Sequence, residues 1–160
     1  MNRHYTSAEY KELCDKLRSA FVDTTITTDI MVGFPTESEE DFRDNVNFAK
    51  EIGFEKVHVF PYSPREGTRA AKMEQIEKSV KEKRSHIMIE ETEKVRQAFL
   101  EAQIGKTVEV LLETRHDDNF TEGYTKNYTP VRVKGAHPCG RIVTAKITSV
   151  DGDFCIAEIE

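Results

Sequence analysis

Thr27-Thr28-Asp29-Ile30-Met31-Val32-Gly33-Phe34-Pro35-Thr36-Glu37-Ser38-Glu39-Glu40 joins a short apolar strand to an acidic helix across one glycine and one proline. Ile26 and Ile30-Met31-Val32 read as a strand buried on both faces of a parallel sheet. Gly33 permits a tight exit, Pro35 keeps Phe34 extended, and Thr36 with Glu39 has capping-box spacing. In α/β folds such turns lie at the carboxyl ends of parallel strands, where ligands bind. A plain β–α turn without a ligand fits the local pattern equally well.

Working outward, the flanking segments repeat the alternation. Upstream, Thr6 and Glu9 are spaced as another capping box, and Leu13, Leu17 and Ala20-Phe21 give a first helix an apolar face. Downstream, Phe42, Val46, Ala49 and Ile52 form one stripe of a helix from about Ser38 to Ile52, with Gly53 as its C-cap. Glu39, Glu40 and Asp41 complement the dipole of its first turn, which explains their acidity structurally. Val57-His58-Val59-Phe60-Pro61-Tyr62-Ser63 reads as a second parallel strand, so the order is α–β–α–β. Two parallel strands do not make a stable sheet, and residues 1–73 therefore read as the end of a larger (β/α) barrel or open sheet. Exposed strands of that kind also predict self-association.

Ser63-Pro64-Arg65-Glu66-Gly67-Thr68-Arg69 is a polar loop carrying two arginines. From about 74 to 103 the chain lacks Gly and Pro, and Ile76, Val80, Ile87, Glu91, Val95, Phe99 and Ala102 track one helical face. This predicts a connecting helix, with Ser85-His86 as the place where it would break. Beyond it the period falls to two. Segments at Thr107–Glu113, Gly123–Thr125, Pro130–Val133, Arg141–Ile147 and Phe154–Ile159 read as five short strands separated by turn-forming clusters. The fold class is thus α/β followed by all-β: the end of a barrel (1–73), a connecting helix (74–103) and a small five-stranded antiparallel barrel (104–160).

Composition narrows the function. The chain has 160 residues, 32% charged and 38% hydrophobic, with a net charge of −6. This describes a globular protein without a global basic footprint. No apolar run approaches the ~20 residues of a spanning helix and no signal peptide opens the chain, so no membrane partner and a cytoplasmic location are expected. Cys14, Cys139 and Cys155 lie far apart, with no C-x-x-C, so no metal site can be read. No G-x-S-x-G, P-loop or H-E-x-x-H occurs, and no catalytic residue is assigned. The better constellation is Tyr124-Thr125-Lys126-Asn127-Tyr128, where aromatic rings can stack bases, Lys126 can meet phosphate and Asn127 can read a base edge. Lys106, Arg115, Arg132 and Lys134 could extend a basic face around it. The alternative is a tyrosine pair packing the barrel rim.

Four ordered stretches carry a family resemblance: Asn2–Thr6, Thr27–Pro35, His58–Thr68 and Gly123–Tyr128. Together they resemble the C-terminal part of the radical-SAM methylthiotransferases. The Phe60-Pro61-Tyr62-Ser63 and Thr125-Lys126-Asn127-Tyr128 versions favour the threonylcarbamoyladenosine tRNA subgroup. The resemblance implies a partial (β/α) barrel that binds S-adenosylmethionine, followed by a barrel similar to a TRAM domain, which binds RNA. It implies an enzyme that adds a methylthio group at C2 of a modified adenosine beside the tRNA anticodon, using S-adenosylmethionine and two four-iron clusters. By motif placement, Arg3, Asp29, Gly33 and Phe60 would face S-adenosylmethionine, Arg65 and Thr68 the entering nucleoside, and Lys126, Asn127 and Tyr128 the RNA. The cluster-binding C-x-x-x-C-x-x-C is missing, so this chain reads as a fragment of such an enzyme. Its own expected role is tRNA docking, without bound cofactor, metal or radical chemistry. A stand-alone RNA-binding module and a non-catalytic interaction protein are the competing readings.

Overall fold

Local chemistry sets the helices before any packing does. In the computed structural model, which describes residues 4–115 and 117–160, α1 runs Ser7–Ala20 and α2 runs Glu39–Ile52. Thr6 caps α1 in a full capping box with Glu9, as its spacing predicts. On α2 the cap differs from the sequence reading. Ser38 and Asp41 form the box, not Thr36 and Glu39, and Thr36 instead takes a left-handed φ of 83°. The Glu37 amide donates to the Phe34 carbonyl at 2.9 Å, closing a turn with Pro35 and Thr36 at its centre. Positive φ at the third position is what a type II turn demands, and it costs a β-branched residue strain.

Two compact units result, one up to Arg96 and one spanning Gln97–Glu160. In the first, β1 (Thr27–Val32) and β2 (Lys56–Pro61) pair in parallel around α2, making a βαβ unit. Cys14, Val32, Phe42, Val46, Ala49, Ile52, Phe54 and Met88 form its core. The sheet is covered on one face only, contrary to the expectation of a strand buried on both. Thr28, Ile30, Val57 and Val59 turn inward, while Thr27, Asp29, Met31, Lys56, His58 and Phe60 stay exposed. The expected apolar face of α1 is corrected in the same way: Cys14 is buried, whereas Leu13, Leu17 and Phe21 are exposed.

The long helix α3 covers Lys78–Glu101 and continues through Ser85-His86 without a break. Its buried side is Arg84, Ser85, Met88, Thr92, Arg96 and Leu100, out of phase with the predicted stripe. Charge explains the difference. Arg84 pairs with Glu37 at 2.6 Å and Arg96 with Glu55 at 3.8 Å, so two arginines occupy positions that a hydrophobic pattern assigns to solvent.

In the second unit, β3 (Thr107–Arg115), β4 (Phe120–Thr125), β5 (Pro130–Lys134), β6 (Ile142–Asp151) and β7 (Phe154–Ile159) close a barrel in the order β3-β4-β5-β7-β6. The barrel is not wholly antiparallel as expected: β5 and β7 run parallel, with Val131, Arg132 and Val133 opposite Cys155, Ile156 and Ala157. An odd number of strands cannot alternate direction around a closed ring, so one parallel pairing is forced. Leu100, Val110, Leu112, Val131, Val133, Ala145, Ile147, Cys155 and Ala157 fill the interior. At Gly123 a Cβ would stand 2.0 Å from the Leu111 carbonyl oxygen, so only glycine fits.

Candidate nucleic-acid interface

Alternation on β3 turns Val110 and Leu112 inward and leaves Glu109, Leu111 and Glu113 outside. Register places Leu111 opposite Tyr124 of β4 on one side and Ile142 of β6 on the other. All three are exposed, so an apolar row crosses the outside of the barrel. With Glu109, Glu113, Thr125, Lys126 and Tyr128 it lines a groove of about 280 Å³.

The β4–β5 loop supplies the groove's most prominent ring. The Thr125 amide donates to the Thr129 carbonyl at 3.1 Å, the Thr129 amide donates to Thr125 Oγ1 at 3.0 Å, and the Tyr128 amide donates to the Thr125 carbonyl at 3.0 Å. Asn127 Oδ1 accepts from the hydroxyls of Thr125 and Thr129. These contacts hold Tyr128 at a φ of 63° with its ring 78% exposed, 6.2 Å between centroids from Tyr124. A bulky residue rarely takes that conformation, and strain of this kind gathers at functional positions.

The three RNA residues expected from sequence therefore lie together on one loop, with distinct local roles. Tyr128 offers a free ring face, Asn127 spends its carbonyl oxygen on loop geometry, and Lys126 is ion-paired with Glu109. The wider basic face does not form. Lys106 donates to Gln103 at 3.0 Å, and Arg115 pairs with Asp118. Arg132 pairs with Glu122 at 2.9 Å and Lys134 with Glu158 at 2.6 Å. Three of these four cations are offset by a carboxylate, so they do not merge into a continuous basic face.

In the first unit, Asp29 and Phe60 lie on the open face of the sheet, where register sets Asp29 opposite His58 and Met31 opposite Phe60. Gly33 follows β1 at a φ of 72°. Its N–H donates to Glu37 Oε2 at 2.7 Å, and Arg84 Nη1 donates to the same oxygen at 2.6 Å. Lys81 donates to the Tyr62 carbonyl at 3.1 Å, and its stem lies 2.5 Å from where a Gly33 Cβ would be. The turn after β1 is thus clamped by α3. Sequence reading left Arg84 unassigned; the available signal was arginine on the helical face that packs, which demands a buried acid.

Arg65 is exposed, and Thr68 closes its own turn by donating its hydroxyl to the Arg65 carbonyl at 2.8 Å and capping Ala71 at 3.2 Å. Arg3 lies outside the described residues. The thiols do not fit an iron–sulfur cluster: Cys14 and Cys155 are buried in separate cores and Cys139 is exposed. Among the described residues no three His, Cys, Asp or Glu side chains converge as a metal site. Nor is any described helix long and apolar enough to cross a membrane.

Residues 101–159 match the family model described as TRAM domain. The chain is 42% identical over 152 residues to a tRNA-2-methylthio-N(6)-dimethylallyladenosine synthase of Oceanobacillus iheyensis, covering 92% of this chain and 29% of that protein. It is 37% identical to threonylcarbamoyladenosine tRNA methylthiotransferase MtaB of Bacillus subtilis, covering 92% of this chain and 34% of the relative. A dimethylallyladenosine synthase of Clostridium novyi is 39% identical, across 99% of this chain and 36% of its own length. The chain is therefore a homologue of the tRNA methylthiotransferases over about a third of their length, and residues 101–159 are its TRAM domain.

Proposed function

We propose that this chain is the tRNA-docking portion of a radical-SAM methylthiotransferase acting at C2 of an N6-modified adenosine beside the anticodon. The carrying observation is the exposed Tyr124–Tyr128 pair on the TRAM barrel, with Lys126 at its rim. Tyr128 stacks on RNA bases and Lys126 exchanges Glu109 for a backbone phosphate. The motif versions favour N6-threonylcarbamoyladenosine as the modified base. Residues 1–73 are the closing part of the (β/α) barrel; there Arg3, Asp29, Gly33 and Phe60 face S-adenosylmethionine, while Arg65 and Thr68 face the nucleoside. The described thiols do not fit the four-iron clusters, and the chain alone docks tRNA without radical chemistry.

A tRNA titration at several salt concentrations tests this. Tyr128→Ala is expected to weaken binding roughly ten-fold, and Lys126→Ala to lower the salt slope by about one. Unchanged binding in both variants removes the loop from the interface. The open face around Met31 and Phe60 also favours pairing between copies of the chain. A concentration-independent monomer in sedimentation would exclude that pairing.

A further inference from the structure

The groove on the outer face of the TRAM barrel has a composition that a phosphate would not select. Its floor is Leu111 between Tyr124 and Ile142, and its rim carries Glu109 and Glu113. Lys126 is its one lining ammonium and already pairs with Glu109, while Glu113 has no ion-pair partner among the described residues. Two carboxylates against one ammonium leave the groove anionic, so a phosphodiester would enter against like charge.

A planar ring with an outward amine meets no such opposition. Its faces suit the tyrosines and the aliphatic floor, and its amine can donate to a carboxylate as cytosine N4 donates to Glu in base recognition. Size points the same way: about 280 Å³ lies just below the span of small-molecule pockets, roughly 300–1,000 Å³. Room exists for one heterocycle rather than for a larger ligand. The hydrogen bonds of the loop also set the Tyr128 backbone before any ligand arrives.

We infer that the groove takes a single unstacked nucleobase bearing an exocyclic amine, with Tyr128 stacking on the ring and Glu113 accepting from the amine. Uracil, which has no such amine, is disfavoured. This rests on the RNA-docking reading above and assigns that surface its ligand chemistry: the groove reads a base while phosphates pass outside it.

The test uses the full chain and two single-stranded RNA hexamers, uridines flanking either adenosine or purine riboside, the same ring without the amine. Fluorescence anisotropy should show the native chain favouring the adenosine probe about ten-fold, the scale of a hydrogen bond to a charged acceptor. Glu113→Val should bring the two probes within about two-fold of each other, and Tyr128→Ala should weaken both roughly ten-fold. Both residues are exposed, and circular dichroism verifies that the variants fold. Equal affinity of the native chain for the two probes, or an unchanged ratio in Glu113→Val, overturns the base-reading groove while tRNA docking stands. Failure of the native chain to bind either hexamer or tRNA removes the docking reading itself.

Discussion

The two units solve one problem in opposite ways. The TRAM barrel pairs every strand on both sides, so its backbone groups are satisfied within the domain and only its side chains face outward. The βαβ unit pairs one edge of each strand, and its open face carries Met31 at 42% and Phe60 at 52% exposure. The barrel gathers Leu111, Tyr124 and Ile142 in one exposed row beside the β4–β5 loop. The other unit exposes a whole sheet face and a helix stripe, the pattern of a surface that expects cover. One region closes on itself, and the other leaves a sheet face and two strand edges open.

The comparison can be broken at its strongest point first. Gly123→Ala puts a Cβ against the Leu111 carbonyl, where a backbone atom cannot move aside. The barrel should lose more than about 4 kcal/mol, read as lost amide protection on β3 to β7, with β1 and β2 amides as the internal reference. Arg84→Ala should act on the other unit, costing about 3 kcal/mol by leaving Glu37 buried without its cation. Urea unfolding followed at β1 and β2 amides measures it, and a loss below half that size would mean Glu37 finds water. Thr36→Gly should stabilise the same unit by about 1 kcal/mol by releasing the left-handed strain, visible as a higher denaturation midpoint.

The smallest effect is set by pH. Hydrogen bonds from Lys50 and Lys94 hold the Glu91 carboxyl down to about 2, below its ordinary 4.5. A depressed carboxylate contributes stability that is complete above its unfolded value and lost as pH falls toward 2. Glu55 runs oppositely, since burial raises it and protonation relieves that burial. Thermal melts across this acid range should therefore flatten in Glu91→Gln and steepen in Glu55→Gln.

Patterning made the order of elements legible. The change from helical to strand period after Gln103 announced the barrel, and the capping box at Thr6 fixed the start of α1. Phase was harder. Arg84 and Arg96 look like solvent-facing charges until Glu37 and Glu55 are known to meet them, and those meetings join residues 47 and 41 apart. At α2 the Thr36–Glu39 spacing misled: Thr36 belongs to the turn after Pro35, and Ser38 with Asp41 forms the box. The parallel β5–β7 pair was implicit in five strands closing a ring. On the TRAM loop, spacing brought Lys126, Asn127 and Tyr128 together, but Glu109 lies across the ladder and its pairing with Lys126 could not be read from the loop alone.

The parallel seam also sets a schedule for synthesis. β7 lies between β5 and β6, yet it is the last of the five to leave the ribosome. Until Phe154–Ile159 emerge, β5 and β6 each keep an unpaired edge, and a nascent barrel has two sites for pairing with the wrong strand. The groove at Leu111 draws its walls from β3, β4, the β4–β5 loop and β6, so its parts can be present before the barrel that steadies them is shut. A stall or frameshift within the final strand would thus leave a recognisable surface on an open, adhesive sheet.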